Sequence, residues 1–406
     1  MKVLFISPHY PEEMQGFTRG LAAVGAEVYA VGDVPEAQLP AHVRRHLRGY
    51  VQVRELFDEN AALAQLAPVA ERLGIERVEC LWEPCVLLAA ALRERLGLPG
   101  MSRDTVLGFR DKTLMKRRLL AAGVRVPRFA RVTSAGECFE AAEAIGYPVV
   151  IKPIAGAGSA DTYAIRSPQE MERVIAQLGH LEEANLEEFI DGEEFTYDTV
   201  CIDGVPRFES VTKYYPKPMD GRHNEWISPA QLTYADPFAR PELKGGIELG
   251  RAALKALGMG TGFTHMEWFR KPDGEVVFGE VAARAPGGKL VDGMNYANDF
   301  DVFREWARAA CWRRYEGQPA RRYHVAAIFK RAIGQGRIQR IVGAEALAQR
   351  CGPGLMAMDL TPLGQPRRDW LNTLLGDGFV ILRHHDYGEC LAMMWQAVKE
   401  LQLYAG

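Results

Sequence analysis

The stretch HMEWFRKPDGEVVFGEVAARAPGG, residues 265–288, decides how this chain is read. Two β-rich runs flank Pro272-Asp273-Gly274, and Asp-Gly between such runs is a strong short-range hairpin signal. Pairing outward from a two-residue Asp273-Gly274 loop sets Glu267 opposite Glu280 and His265 opposite Ala282. Directly opposed residues hold their Cβ atoms about 4.5–5.5 Å apart, where like charges repel, so a positive charge is expected between the carboxylates. Mg²⁺ suits that place, because it takes hard oxygen ligands and is usually held by one or two carboxylates together with substrate phosphates. The expectation is one or two such ions, with Mn²⁺ as a substitute. The competing reading is a solvated strand pair screened by water and by Arg270 or Arg284.

Upstream lies VVIKPIAGAGSADTYAI, residues 149–165. A β run ends at Lys152-Pro153, a loop of small residues follows, and a second β run spans 162–165. A Rossmann or Walker loop must lead into a helix whose N-terminus meets phosphate, whereas this loop leads into a strand. It reads as a hairpin lid in which Gly156, Gly158 and Ser159 let backbone N–H groups approach phosphate oxygens, with Lys152 reaching the same anion. Further back, Asp111 is placed to cap a helix that opens at Lys112, and a cation at that end opposes the helix dipole, which hints at a functional reason for it.

The next segment, LEEFIDGEEFTYDTV (residues 186–200), reads as a short β run, an Asp191-Gly192 turn and a second strand. Backbone at such a passage can meet the rim of adenine, and Glu194 can accept both ribose hydroxyls. An acidic run of this kind is also what a solvated face looks like. Residues 211–236, with Tyr214, Tyr215, Arg222 and Trp226, read as a long functional loop. Amphipathic helices are expected over 242–257 and 301–312.

At the N-terminus, strands over 2–6, 28–31 and 78–82 alternate with helices over 15–24 and 86–96, which argues for a parallel sheet covered by helices. The first turn, SPHYPEEMQG, lacks GxGxxG, so no nucleotide is assigned to this domain. His9 lies in that turn, beyond a strand's carboxyl end, although a lone loop histidine more often has no ligand. From about residue 322, short β runs and a closing helix suggest a small α+β unit.

A length of 406 residues suggests two or three domains, and 48% apolar with 25% charged residues is ordinary for a globular protein. A net charge of -3 with both signs interspersed gives no footprint for nucleic acid or membrane, so small molecules are the expected partners. No apolar run is long enough for a transmembrane helix. Seven scattered cysteines without CxxC spacing argue against a disulfide framework and a structural zinc site. A cytoplasmic location fits best.

In their order these features resemble the ATP-grasp superfamily of carboxylate-amine ligases, closely over residues 112–288 and loosely beyond. The carriers are Asp-Lys before a helix, VVIKP with its Gly/Ser loop, LEEFIDGEEFT, an Asp-Gly hairpin with acids thirteen apart, and an arginine four residues on. The acid spacing is similar to that of D-alanine ligases. The resemblance implies an α/β ATP-grasp fold: a Rossmann-like pre-ATP-grasp domain over 1–110, a lid subdomain over 111–185, an antiparallel-sheet catalytic subdomain over 186–318 and an α+β closing domain over 319–406.

It further implies residue roles. Lys112 and Lys152 contact ATP phosphates beneath the lid of Gly156, Gly158, Ser159 and Ala160. Glu187, Glu188, Phe189 and Ile190 form the adenine hinge, Glu194 holds the ribose, and Lys213 is a further phosphate lysine. Glu267 and Glu280 hold magnesium, Arg284 with Gly287 and Gly288 faces a substrate carboxylate, and His265 is the candidate base for the amine. The family's third metal ligand, an Asn two residues beyond the second acid, is Ala282 here. The implied reaction joins a carboxylate, of an amino acid or peptide, to an amine through an acyl phosphate. A silent ATP-binding module and a kinase-like phosphotransferase are the alternatives, and a homodimer is a family-level expectation.

Overall fold

The computed structural model describes residues 1–154, 161–179, 182–370 and 376–406. Four strands, β1 (Lys2–Ile6), β2 (Glu27–Gly32), β3 (Leu47–Gln52) and β4 (Arg77–Cys80), form a parallel sheet in the order β3-β2-β1-β4. Helices cover both faces, as the buried runs of β1 and β2 require, since both faces of a parallel sheet must leave water. The loops beyond the carboxyl ends of β1 and β4 carry His9 and Glu83.

A second sheet, in the order β5-β8-β6-β7, is built from β5 (Phe129–Val132), β6 (Val149–Pro153), β7 (Tyr163–Ile165) and β8 (Ala184–Glu188). β6 and β7 pair antiparallel, which agrees with a hairpin lid, but the loop residues Gly156, Gly158, Ser159 and Ala160 lie outside the described residues. The helix Lys112–Ala121 runs beside this sheet. Asp111 caps it, its Oδ1 accepting from the amides of Thr113 and Leu114 at 2.9 Å each. The first amide of the helix, that of Lys112, donates to the Ile154 carbonyl at 3.2 Å and so ties the helix to the lid strand.

The large sheet takes β9 (Glu193–Ile202), β10 (Val205–Tyr215), β11 (Ala230–Thr233), β12 (Gly262–Arg270), β13 (Val276–Ala282) and β14 (His324–Lys330). Past the two short strands β15 (Ile333–Gly334) and β16 (Ile338–Val342), it also takes β17 (Leu355–Leu360) and β18 (Gly378–His384), in the order β13-β12-β9-β10-β11-β14-β18-β17. The sheet thus runs on across residue 319. β15 and β16 form a separate small sheet with β19 (Gln402–Ala405).

Residues 211–236 are a correction. β10 continues to Tyr215, a helix spans Pro218–His223, and β11 is buried along its length, so the loop is confined to the pieces around that helix. Prolines and aromatics suggested irregular backbone, yet Thr212–Tyr215 pairs with Ala230–Thr233 because both strands fall inside a wide sheet that satisfies them.

β12 and β13 pair as expected at the acids, Glu267 with Glu280 and His265 with Ala282, although the loop between them differs. Lys271 N donates to Glu275 O and Gly274 N to Lys271 O, both at 2.9 Å, so the loop is the three residues Pro272 to Gly274, with Gly274 at φ +88°. That is a tight turn closed by a left-handed glycine. The register it sets is off by one, Trp268 facing Phe278, and a bulge at Gly279 restores the pairing before Glu280.

A side chain at Gly279 has no room, because a Cβ there would lie 2.8 Å from the Glu267 carbonyl oxygen. Gly279→Val is expected to destabilise the protein by about 1–3 kcal/mol through this overpacking. An unchanged urea midpoint would refute the bulge.

Candidate active site

Period-2 alternation separates the two faces of the large sheet. One face carries Glu194, Thr196 and Asp198 from β9, cross-paired with Phe269, Glu267 and His265 from β12, and then Glu280 and Ala282 from β13. The other carries Phe195, Tyr197, Met266, Trp268 and Val281, buried against the helix Lys244–Leu257. Trp268 stacks on Phe195 with ring centroids 4.6 Å apart, and Gly246 of the helix packs directly on the indole.

Between the polar face and the lid sheet lies a cleft of about 840 Å³, part of it open to solvent. Val150, Phe189, Ile190, Met219 and Phe269 make an apolar end, and Lys112, Lys152, Glu187, Glu267 and Glu280 a charged one. The structure therefore gathers into one cavity residues that are scattered over more than 160 positions of sequence, as ligand sites combining apolar walls with a few placed polar groups do.

At the charged end, Glu280 Oε2 lies 3.4 Å from Lys112 Nζ and 3.7 Å from Lys152 Nζ. Burial opposes ionisation of Glu280, but Lys112, Lys152 and Lys116 outweigh it and hold the carboxyl down at about 2. The positive charge beside Glu280 is thus supplied, in this state, by lysines, whereas Glu267 has His265 Nε2 at 3.7 Å. The hydrogen bonds of the two arginines go elsewhere, Arg270 Nη2 to Glu193 Oε2 and Arg284 Nε to Glu83 Oε2, each at 2.5 Å, although Arg284 still feels the charge of both Glu280 and Glu267.

Lys152 also sits 2.6 Å from Glu187 Oε1, which takes Asn185 Nδ2 at 2.8 Å and has Lys116 Nζ at 3.1 Å. The Lys116 contact is one of charge without hydrogen-bond geometry. Lys116 is fully buried, and burial pushes both its ammonium and that of Lys152 down to about 7.

His265 stands in line between two carboxylates, Nδ1 2.6 Å from Asp198 Oδ1 and Nε2 3.7 Å from Glu267 Oε1. Burial works against the imidazolium, yet Asp198 and then Glu267 raise the ring to about 9. It is a cation at neutral pH, so it must lose a proton before it can take one from an amine. The Tyr214 hydroxyl donates to Glu267 Oε1 at 3.4 Å.

Glu267 and Glu280 fit the metal site that the fold family implies. Both present hard oxygens, Glu280 is ionised, and the two are opposed across the hairpin. Among the described residues no cluster of three or more His, Cys, Asp or Glu side chains could hold an ion alone. Such a pair suits an ion that takes its remaining ligands from phosphate and water.

Among the hinge residues, Glu187, Glu188, Phe189 and Ile190 all line the cleft, although the Glu188 carboxylate reaches outward to Arg125 at 3.1 Å and the Arg128 amide at 3.0 Å. Glu194 lines it from β9. Burial, and then the nearby Glu267, push its carboxyl well above the usual range.

Lys213 does not join them. It occupies an odd position on β10, opposite Phe195, so its side chain emerges on the far face and is held by Glu193. The lysine that reaches the cleft from this region is Lys217, 3.5 Å from the Ile190 carbonyl and 5.2 Å from the Phe189 ring centre.

Arg284 is held by Glu83 from the loop after β4, and Glu83 Oε1 lies 3.2 Å from an Arg110 nitrogen. Gly287 faces the N-terminal domain, a Cβ there coming 3.9 Å from Glu13 Oε1, and the Gly288 carbonyl accepts from Gln231 Nε2 at 2.5 Å. His9 is half-buried, its Nδ1 finding no hydrogen bond among the described residues, and burial lowers its pKa.

Four residues escaped the sequence reading. Lys116 had a readable signal, since i and i+4 share a helix face and it follows Lys112 by one turn. Asp198, Lys217 and Glu83 had none, because strand pairing and domain apposition bring them in.

Comparison with known proteins agrees with this geometry. Residues 117–287 match the ATP-grasp domain model and residues 22–100 the ATP-grasp N-terminal domain model. The L-arginine-specific L-amino acid ligase of Bacillus subtilis is 26% identical over 298 residues, covering 71% of this chain and 70% of that protein. The alanine–anticapsin ligase of Bacillus subtilis is 25% identical over 266 residues, 60% of this chain and 56% of that one. Among solved structures, an L-amino acid ligase from Bacillus licheniformis superposes with a TM-score of 0.79 at 21% identity, over 100% of this chain and 98% of that one. With the two domain models matched in order over residues 22–100 and 117–287, together more than half of the chain, the chain belongs to the ATP-grasp superfamily.

Proposed function

We propose that this protein joins the carboxylate of an amino acid or short peptide to an amine, with ATP converted to ADP and phosphate. The observation that carries the reading is the opposed pair Glu267 and Glu280, with Lys112 and Lys152 on Glu280, in a cleft whose other lining is apolar. The relatives named above, amino acid ligases by their titles, support amino-acid substrates.

Adenine lies against Val150, Phe189 and Met219, the ribose hydroxyls reach Glu194, and the phosphates extend toward Lys112 and Lys152. Glu267 and Glu280 hold Mg²⁺, which when bound neutralises phosphate charge and polarises the transferred phosphoryl group. Arg284, aimed by Glu83, presents its remaining nitrogen to the substrate carboxylate beside the Gly287-Gly288 turn. A carboxylate oxygen attacks the γ-phosphorus as the bond to the β-phosphate oxygen breaks, and ADP leaves. The amine nitrogen then attacks the acyl carbon, the C–O bond electrons depart with phosphate, and the proton the amine gives up leaves on that phosphate as hydrogen phosphate. Lys112, Lys152 and Arg284 contribute through positioning and charge, which is where phosphoryl transfer finds its catalysis.

Three outcomes test this. A panel of amino-acid pairs and short peptides should reveal ATP-dependent phosphate release, and ATP binding with no release across the panel would establish a silent module instead. Glu280→Ala should abolish that release, and turnover near wild type would sink the metal assignment. Ala282→Asn, which adds an oxygen two residues beyond Glu280, should lower the Mg²⁺ concentration needed for half-maximal release; an unchanged Mg²⁺ curve would show that Ala282 does not limit the site.

Because His265 titrates at about 9 in the folded state against 6.5 when free, its charge stabilises the fold fully below 6.5 and that gain is lost as pH rises through 9. Urea midpoints of wild type and His265→Asn should differ most at pH 6 and converge by pH 9.5. A difference independent of pH would remove the Asp198–His265 charge pair from the account.

A further inference from the structure

Three lysines converge on the phosphate end of the cleft, and the mechanism above uses only Lys112 and Lys152. Lys116 is the most buried of them, with a side-chain exposure of 0% against 8% for Lys112 and 14% for Lys152. Its position is electrostatically poor, since it follows Lys112 at i+4 near the N-terminus of the helix Lys112–Ala121, where like charges repel and the dipole disfavours cations. A packing role there would be met better by methionine or leucine, because a buried ammonium costs several kcal/mol unless it is paired. The pairing is with Glu187, which has two lysines on one oxygen: Lys152 at 2.6 Å and Lys116 at 3.1 Å.

The partners belong to different elements. Glu187 and Lys152 ride on the lid sheet, on neighbouring strands β8 and β6, whereas the lysine helix packs on the helices Arg103–Arg110 and Lys244–Leu257. Thr113 of the same helix donates to Asn185 Oδ1 at 3.3 Å, and Asn185 Nδ2 donates to Glu187, so the contact is doubled. An incoming phosphate competes with the buried carboxylate of Glu187 for Lys152 and draws the ammonium away from it. A buried carboxylate whose only cation is Lys152 cannot release it without being left unpaired.

On this basis, and resting on the ATP-site reading above, we propose that Lys116 is a positioning residue for ATP: it is the buried counter-ion of Glu187 that frees Lys152 to turn from Glu187 to the phosphates. Lys116 itself touches no substrate. When Lys152 moves, Lys116 stays 3.1 Å from Glu187 on the helix side, where the freed carboxylate favours its charged form, and the link between helix and lid sheet is kept.

The test measures ATP and Mg-ATP dissociation constants by calorimetry, KM and kcat for phosphate release, and thermal midpoints without nucleotide. The variants are Lys116→Met, Lys116→Arg, Glu187→Gln and the double variant Lys116→Met/Glu187→Gln. Lys116→Met should weaken ATP binding about tenfold or more, since the buried Glu187 carboxylate then loses one of its two close cations and holds Lys152 more tightly. KM should rise more than kcat falls. Lys116→Arg, which keeps the charge, and the double variant, in which Lys152 has no carboxylate at Glu187 to leave, should both bind ATP within about threefold of wild type, since one lost partner and its matched removal offset each other.

ATP binding by Lys116→Met within twofold of wild type, with only the thermal midpoint lowered, overturns the proposal. So does a double variant that binds no better than Lys116→Met. If Lys116→Met does not fold, the double variant alone decides, near-wild-type affinity supporting the proposal and a tenfold loss overturning it. A wild-type protein that binds no ATP overturns the nucleotide reading and this inference together, whereas ATP binding unaffected by Lys116 overturns this inference alone.

Discussion

Two carboxylates placed side by side on a hairpin repel, and the architecture of this protein follows from what is brought in to offset that repulsion. Glu267 and Glu280 belong to β12 and β13, at the edge of the large sheet, while the cations that face Glu280 come from elsewhere: Lys112 from a helix start and Lys152 from the lid sheet. Three separate elements must therefore stay in register around one charged pocket. Charges of this kind attract strongly in a site with little water, but only while every member is paired. The same network that costs stability when broken gathers three lysines at one end of the cleft, each of them close to a carboxylate.

The apolar face of the same strands supplies the stability this polar face lacks. Trp268, Phe195, Tyr197 and Phe278 are completely buried on the side away from the cleft, under a helix whose glycines allow it to lie flat on the rings. At roughly 1.5–3 kcal/mol for each large side chain removed from water, that core holds the strands rigid while their other face is given over to charge. Alternation along each strand makes this division of labour possible, and it also explains Lys213, one residue out of phase with the site and so committed to Glu193.

The hairpin shows how a correct expectation can have a different physical basis. An Asp-Gly loop of two residues would have paired the glutamates directly. The chain instead uses a three-residue turn, which shifts the register by one, and a glycine bulge that shifts it back. Gly279 is the residue that makes the correction, and it does so because only a glycine can approach the Glu267 carbonyl so closely. In the pattern of residues it reads as one small residue among several.

Local rules in the chain settled the parallel N-terminal sheet, the Asp111 cap, the lid strands and the paired acids, because periodicity, capping and turn chemistry act over a few neighbours. The order of these pieces was enough to place the fold. The tertiary structure alone decided which cations neutralise which acids. Lys116 opposite Glu187, Asp198 beside His265, Glu83 on Arg284 and Lys217 in place of Lys213 all depend on strand order and on how two sheets and a helix lie against one another. Charge interactions are set by distance in space, and no spacing along the chain encodes that distance once the partners sit on different elements.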